Sequence, residues 1–387
     1  MKYFQKQKNN LSGATWIWAV VIVFLVVILV VTVGAFFKRT TSLNTEKSKQ
    51  EESSRTSQQI SYIRSVKDNE EMSLLGAHEF AIRDNYLYVT TVRDHGLEIM
   101  DITNPANPKH IGAFFDNDET LMRKIHSVAL YSNYAFLGSM EDNAIQVLDI
   151  SNPKNILPVK SLKLNFKGIH GMSIHGSYLY IAYSSDDTVE IIDISDPTNP
   201  KVAVTLSDND QMSLGAPHEF LFVGSYAYVI SGTEGMEILD ISDPTNPKHV
   251  AAVKDNDKVA LSGGHGMDVA GNYIYTASYV DGFAIFDITN PQNPVQVAKI
   301  DPTENNGLIS AADVDVSGKY AFVVSEVGNA VVMIDVSNPA NPIIKDMIRD
   351  DGSGDMFLWN GHYVETYNNY IYVAGLQDGF GIVKILE

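Results

Sequence analysis

The chain has 387 residues, 45% of them hydrophobic, no cysteine, and a formal charge of -19. Lacking cysteine, it has no disulfides, thiolate nucleophiles, Cys-bound zinc or iron–sulfur clusters. Five basic residues and no acid fall in residues 1–39; the remainder carries 23 basic against 47 acidic residues, a balance that repels phosphate backbones and argues against nucleic acid as a partner.

In chain order, residues 1–13 form a short tail. Residues 14–37 carry no charge and are almost wholly aliphatic and aromatic from Ala19 onward, with Trp16 and Trp18 at one end and Phe36, Phe37, Lys38 and Arg39 at the other. At 1.5 Å per residue a helix of this length crosses a bilayer core, and the flanking aromatic and basic residues suit its interfaces. The segment predicts a single transmembrane signal anchor with the N-terminus in the cytoplasm. The alternative is a cleaved signal peptide ending near Val33-Gly34-Ala35, for which the apolar stretch is too long. Residues 38–59 are polar, with one aliphatic residue, and predict a flexible tether. The expected location is therefore a single-pass membrane protein with its bulk outside the cytoplasm, at the cell surface.

From residue 60 the chain repeats itself. Pentapeptides LEIMD, IQVLD, VEIID, MEILD, FAIFD and VVMID end at Asp101, Asp149, Asp193, Asp240, Asp287 and Asp335, and a seventh, FGIVK, ends at Lys384, in steps of 44 to 49 residues. Each unit reads as four strands: a first strand, a two-residue turn such as Gly271-Asn272, a second strand opening with Tyr, and the pentapeptide strand. A Pro-rich turn such as Asp287–Pro294 then leads to the fourth. Such units imply an all-β, seven-bladed propeller over residues 60–387. Residues 60–66 match a fourth strand and the chain ends after a third, so the N-terminal strand is expected to close blade seven and remove the sheet edges.

The pentapeptide followed by Ile-Ser/Thr-Asp/Asn-Pro-x-Asn-Pro resembles the LVIVD repeat of bacterial and archaeal surface proteins. Ile156 in unit two and Lys384 in unit seven depart from the pattern. The resemblance implies a propeller at or outside the membrane and no defined activity.

Six first strands begin with histidine: His78, His126, His170, His218, His265 and His362; unit six has Ala312 there. Imidazoles from several blades can converge on a transition metal ion. The competing reading pairs each histidine with an acid in the following hairpin, Asp94, Asp142, Asp186 with Asp187, Glu234, Asp281 and Asp378. Unit six lacks both partners, so a structural His–acid hydrogen bond accounts for the pattern more directly. Acidic loops before the first strands, such as Lys67–Glu71 and Asp116–Glu119, can supply oxygens to calcium or form a solvated rim. Ligand-binding candidates are Asp313 and Glu326 in the irregular sixth unit, and Asp355 and Trp359 in the long loop after it; a Trp beside acids suits a sugar, a cation or a peptide. No nucleophile elbow, phosphate loop or dinucleotide fingerprint occurs, so catalysis has no sequence support. The chain reads first as a tethered binding module for a protein or cell-envelope ligand. The alternatives are a metal-dependent oxidoreductase or lyase and a structural envelope component.

Overall fold

The computed structural model describes residues 58–256, 258–350, 352, 356, 358, 360–375 and 379–386. The expected membrane anchor, the tether up to residue 57, and Asp355, Trp359 and Asp378 lie outside the described residues; Gln59, the tether's expected last residue, already belongs to the propeller. No helix among the described residues is long and apolar enough to cross a membrane. The described chain is entirely β: seven four-stranded antiparallel sheets, six of them built from consecutive strands. Blade one, for example, comprises Ala77–Arg83, Tyr86–Thr91, Gly96–Asp101 and Lys109–Phe115. Each first strand touches the first strand of the next blade, and Gly361–Tyr367 returns to Ala77–Arg83, so the first strands form a closed inner ring.

The pentapeptide strands are buried on both faces because they sit third in their blades, between neighbouring blades. Tyr275, Phe283 and Ile285 of blade five pack with Val314, Val323 and Val332 of blade six, and the other interfaces follow suit. The core is thus shared out between blades. The Asp ending each pentapeptide has a local task. Asp101, Asp193 and Asp240 each accept the amide of the residue two positions on, at 2.8 to 2.9 Å, and so hold the Pro-containing turn.

Blade seven draws on both ends of the repeat region. Ile60–Lys67 pairs antiparallel with Gly379–Ile385, from Ile60 opposite Ile385 to Lys67 opposite Gly379. Asp346 of blade six accepts the amides of Gln59 and Ile60 at 2.6 and 2.9 Å, fixing where the closing strand begins. Ile60 is fully buried between blades six and seven. Its truncation leaves a cavity at the seam, and Ile60→Ala is expected to cost about 2–5 kcal/mol, read as a lower urea midpoint with an unchanged slope.

Candidate metal centre on the propeller axis

Each first strand carries a β-bulge at the histidine position. The register with the second strand slips between Ala77 and Phe80, Ile125 and Ser127, Ile169 and Met172, Pro217 and Glu219, Gly264 and Gly266, Ala311 and Asp313, and Gly361 and Tyr363. The residue left unpaired is re-aimed by the bulge. In six blades that residue is histidine, and all six histidines line one axial cavity of about 340 Å³.

The rings are in mutual contact. Centroid separations are 3.6 Å for His78–His126, 4.3 Å for His78–His362 and His170–His218, and 4.8 Å for His170–His265 and His265–His362. One nitrogen from each of His170, His218 and His265 lies within 4.8 Å of the other two. Two imidazoles are anchored through Nδ1: His126 to the carbonyl of His170 at 3.1 Å, and His265 to that of Ala312 at 2.8 Å. A carbonyl only accepts, so Nδ1 carries the hydrogen and Nε2 presents a lone pair. For His265, which is 6% exposed, that Nε2 is buried with no hydrogen-bond partner among the described residues. Burial, followed by repulsion from neighbouring rings, depresses these histidines: His78, His170 and His265 fall well below the usual imidazole range, and His362 is pushed down to about 3. His126, depressed chiefly by burial, falls to about 4. They are neutral at physiological pH, the form that ligates metal.

Beneath the imidazoles lies a layer of carboxylates from the same strands. Glu79 accepts the amide of Val128 in the next blade at 3.2 Å; Glu219 accepts Met267, Asp268 accepts Val316, and Asp313 accepts Val364, at 2.6 to 2.9 Å; Asp315 accepts Thr366. Burial raises Glu79, Glu219 and Asp313 well above the usual carboxyl range. Burial, then the nearby charge of Asp315, pushes Asp268 up to about 7 and Glu365 up to about 8. In blade three, where glycine follows the histidine, the space is filled by backbone: a Cβ on Gly171 would stand 1.9 Å from the carbonyl oxygen of His218.

Among the described residues the expected histidine–acid hydrogen bonds do not form; Asp378, the acid expected for His362, lies outside them. Asp94, Asp142, Asp186 and Asp281 instead accept the backbone amides of Leu75, Arg123, Lys167 and Ser262, each three residues before its histidine, at 2.5 to 2.9 Å. Asp187 reaches the Ala216 amide of the next blade, and Glu234 lies 3.5 Å from Lys254. The acids pin the loop, and the bulge beyond it frees the imidazole to face the axis. Histidine–acid pairs do form elsewhere, unforeseen from sequence: His110 with Glu98 at 2.8 Å and His249 with Glu237 at 2.6 Å, on outer strands.

The acidic loops also have internal partners. Asp68, Asp116, Asp208 and Asp255 each accept the amide six residues on, at Leu74, Met122, Leu214 and Leu261. Of the ligand candidates, Asp313 is spent on the Val314 and Val364 amides inside the channel. Glu326 accepts the Tyr279 hydroxyl at 2.9 Å and lies 3.7 Å from Nε2 of His362.

The raised carboxylates set a pH dependence. Glu365, held near 8 in the fold against about 4.3 in an unfolded chain, binds more protons when folded, so its contribution is present at low pH and is lost as pH rises through the folded value. Metal-free protein is expected to lose urea stability between about pH 4.5 and 8, and Glu365→Gln to lose less over the same interval.

The LVIVD repeat model matches residues 76–116, 122–161, 170–207, 222–255, 263–301 and 310–349. No curated protein sequence matches the chain. Similar solved folds include a catalytically inactive histidine-to-alanine variant of virginiamycin B lyase from Staphylococcus aureus with quinupristin (12% identity, TM-score 0.62, covering 84% of this chain and 99% of that one). Hydrazine synthase of Kuenenia stuttgartiensis is also similar (12%, 0.61, 83% and 99%). So is the computationally designed Ika8 protein (11%, 0.56, 84% and 99%). At these identities the likeness is one of fold. Matched over six of its seven blades, the chain belongs to the LVIVD repeat family.

Proposed function

We propose that this propeller is a metalloprotein that holds a divalent transition metal ion on its axis through His170, His218 and His265, as the centre of a metal-dependent oxidoreductase or lyase. The observation that carries the reading is the convergence of three imidazole nitrogens, one from each ring, within 4.8 Å, in a site where Nε2 of His265 is buried without a hydrogen-bond partner among the described residues. Bonds of about 2.0–2.1 Å to imidazole in a tetrahedral site require the three nitrogens, now up to 4.8 Å apart, to close to about 3.4 Å, and imidazole donors suit zinc, copper, iron or nickel over calcium or magnesium. Three protein ligands leave coordination positions for water or substrate. The adjoining cavity of about 340 Å³ has room for a small organic molecule.

The apolar run of residues 14–37 and the polar run of 38–59 support a tethered propeller working outside the cytoplasm. This reading differs from a plain interaction module in its demand for an ion. Plasma mass spectrometry of the tag-free full chain, expressed with trace metals supplied, is expected to find roughly one transition metal ion per chain. In the His170→Ala/His265→Ala double variant, affinity is expected to fall by more than the roughly 10–100-fold typical of a lost outer-shell partner. Calcium alone, or no ion, would return the interaction module to first place.

A further inference from the structure

The symmetry of the ring fails in one place, and the failures are neighbours. The residue directly after each second strand is held in the same way in the six blades where it is described. Its amide bonds to the carbonyl two residues before the histidine position: Val92 to Gly76, Met140 to Lys124, Ser184 to Gly168, Gly232 to Ala216, Tyr279 to Gly263, and Glu326 to Ser310. This position walls the imidazole of its own blade. A Cβ on Gly232 would stand 3.0 Å from the His218 ring, and the Tyr279 ring lies 4.6 Å from that of His265. Blades one to four place Val, Met, Ser and Gly there; blades five and six place Tyr279 and Glu326. Blade six is also the blade whose bulge residue is Ala312.

With no imidazole to wall, Glu326 reaches inward between blades five and seven. One oxygen takes the Tyr279 hydroxyl at 2.9 Å and lies 3.7 Å from Nε2 of His362. The other makes no hydrogen bond among the described residues, and the side chain keeps 21% of its surface exposed. Glu326 is therefore steadied from one side and open on the other.

Resting on the metal reading above, we propose that Glu326, steadied by Tyr279, is the ligand-positioning residue of the axial centre. It accepts a hydrogen bond from a neutral protic molecule, such as a water, an alcohol or an amine, bound to the metal on the blade-six side. The ring then has a coordinating side, at blades three to five, and a ligand-recognising side at blade six, where a carboxylate takes the station of a seventh imidazole. A carboxylate acceptor selects molecules that bring a hydrogen, because an aprotic isostere leaves it desolvated and unpaired.

The test uses the full chain loaded with cobalt(II), whose visible absorption reports its ligands, titrated at pH 8 with imidazole and with N-methylimidazole. Both coordinate through nitrogen, and only the first has an N–H to give. Wild type is expected to prefer imidazole by about tenfold, the scale of a hydrogen bond to a charged acceptor. Glu326→Gln is expected to narrow the preference and Glu326→Leu to bring it near parity. Met140→Leu, at the equivalent position of blade two, is expected to leave it intact, and all variants to keep one cobalt per chain. Equal preference in wild type and Glu326→Leu, with cobalt bound in both, would overturn the role of Glu326 and leave the metal centre standing. Failure of wild type to bind cobalt would overturn both.

Discussion

Closing seven sheets into a ring leaves the inward edge of every first strand without a strand to pair with. Its backbone N–H and C=O groups point into a cavity of about 340 Å³, where each buried, unpaired group costs on the order of a hydrogen bond or more. The side chains that face the axis answer that constraint. Carboxylates take the N–H groups, as Glu79 does for Val128, Glu219 for Met267 and Asp313 for Val364. Imidazoles supply hydrogens to the C=O groups, as His126 does for His170 and His265 for Ala312. Every one of these bonds runs from one blade to another, so the polar lining also ties the ring together.

The same constraint prepares the axial chemistry. An imidazole that spends Nδ1–H on a backbone carbonyl is left in a single tautomer with a lone pair facing inward, the preorganisation that a metal site requires. Each carboxyl with one oxygen committed to an amide has lost most of its freedom to swing. Crowding keeps the rings neutral, since a charge on one is opposed both by burial and by its neighbours. The atoms that meet the structural need are the ones on which the proposed metal site rests. The positions that depart from the repeat, Ala312, Tyr279 and Glu326, are the ones that edge satisfaction does not explain.

Much of this was legible in the sequence. The recurring pentapeptide, the Tyr that opens every second strand and the closing strand at Ile60 correspond to strands and a seam at those places, because a repeat fixes register by multiplicity. The equivalence of the six histidines was legible too, but their direction was not. A bulge adds one residue, which reverses the side assigned by simple alternation, and nothing in the residue types at Ala77–Arg83 announces it. The joint absence of histidine and acid in blade six suggested that the two bond each other. Their true link is the loop backbone between them, with Asp281 on the Ser262 amide and His265 beyond it, and co-occurrence cannot tell a side-chain partner from a shared loop. Glu326 stood out in the sequence as a departure of unit six; aligning the residue after each second strand would have added Tyr279 to it, since both are large and polar where blades one to four carry Val, Met, Ser and Gly.

The seam at blade seven bears on the order in which the chain acquires its structure. Blades one to six are each assembled from neighbours in sequence and can form hairpin by hairpin as the chain emerges. Ile60–Lys67 cannot: its partner, Gly379–Ile385, is made some three hundred residues later. Until then a strand with buried-type residues at Ile60 and Val66 has no sheet to join, and the inner ring stays open at the gap between blades six and one. The entropy of closing so long a loop grows only slowly with its length, so the delay is set by synthesis more than by search. The axial cavity therefore comes into existence at one late moment, when the last blade arrives, and an ion with affinity for the assembled ring would hold that final step shut.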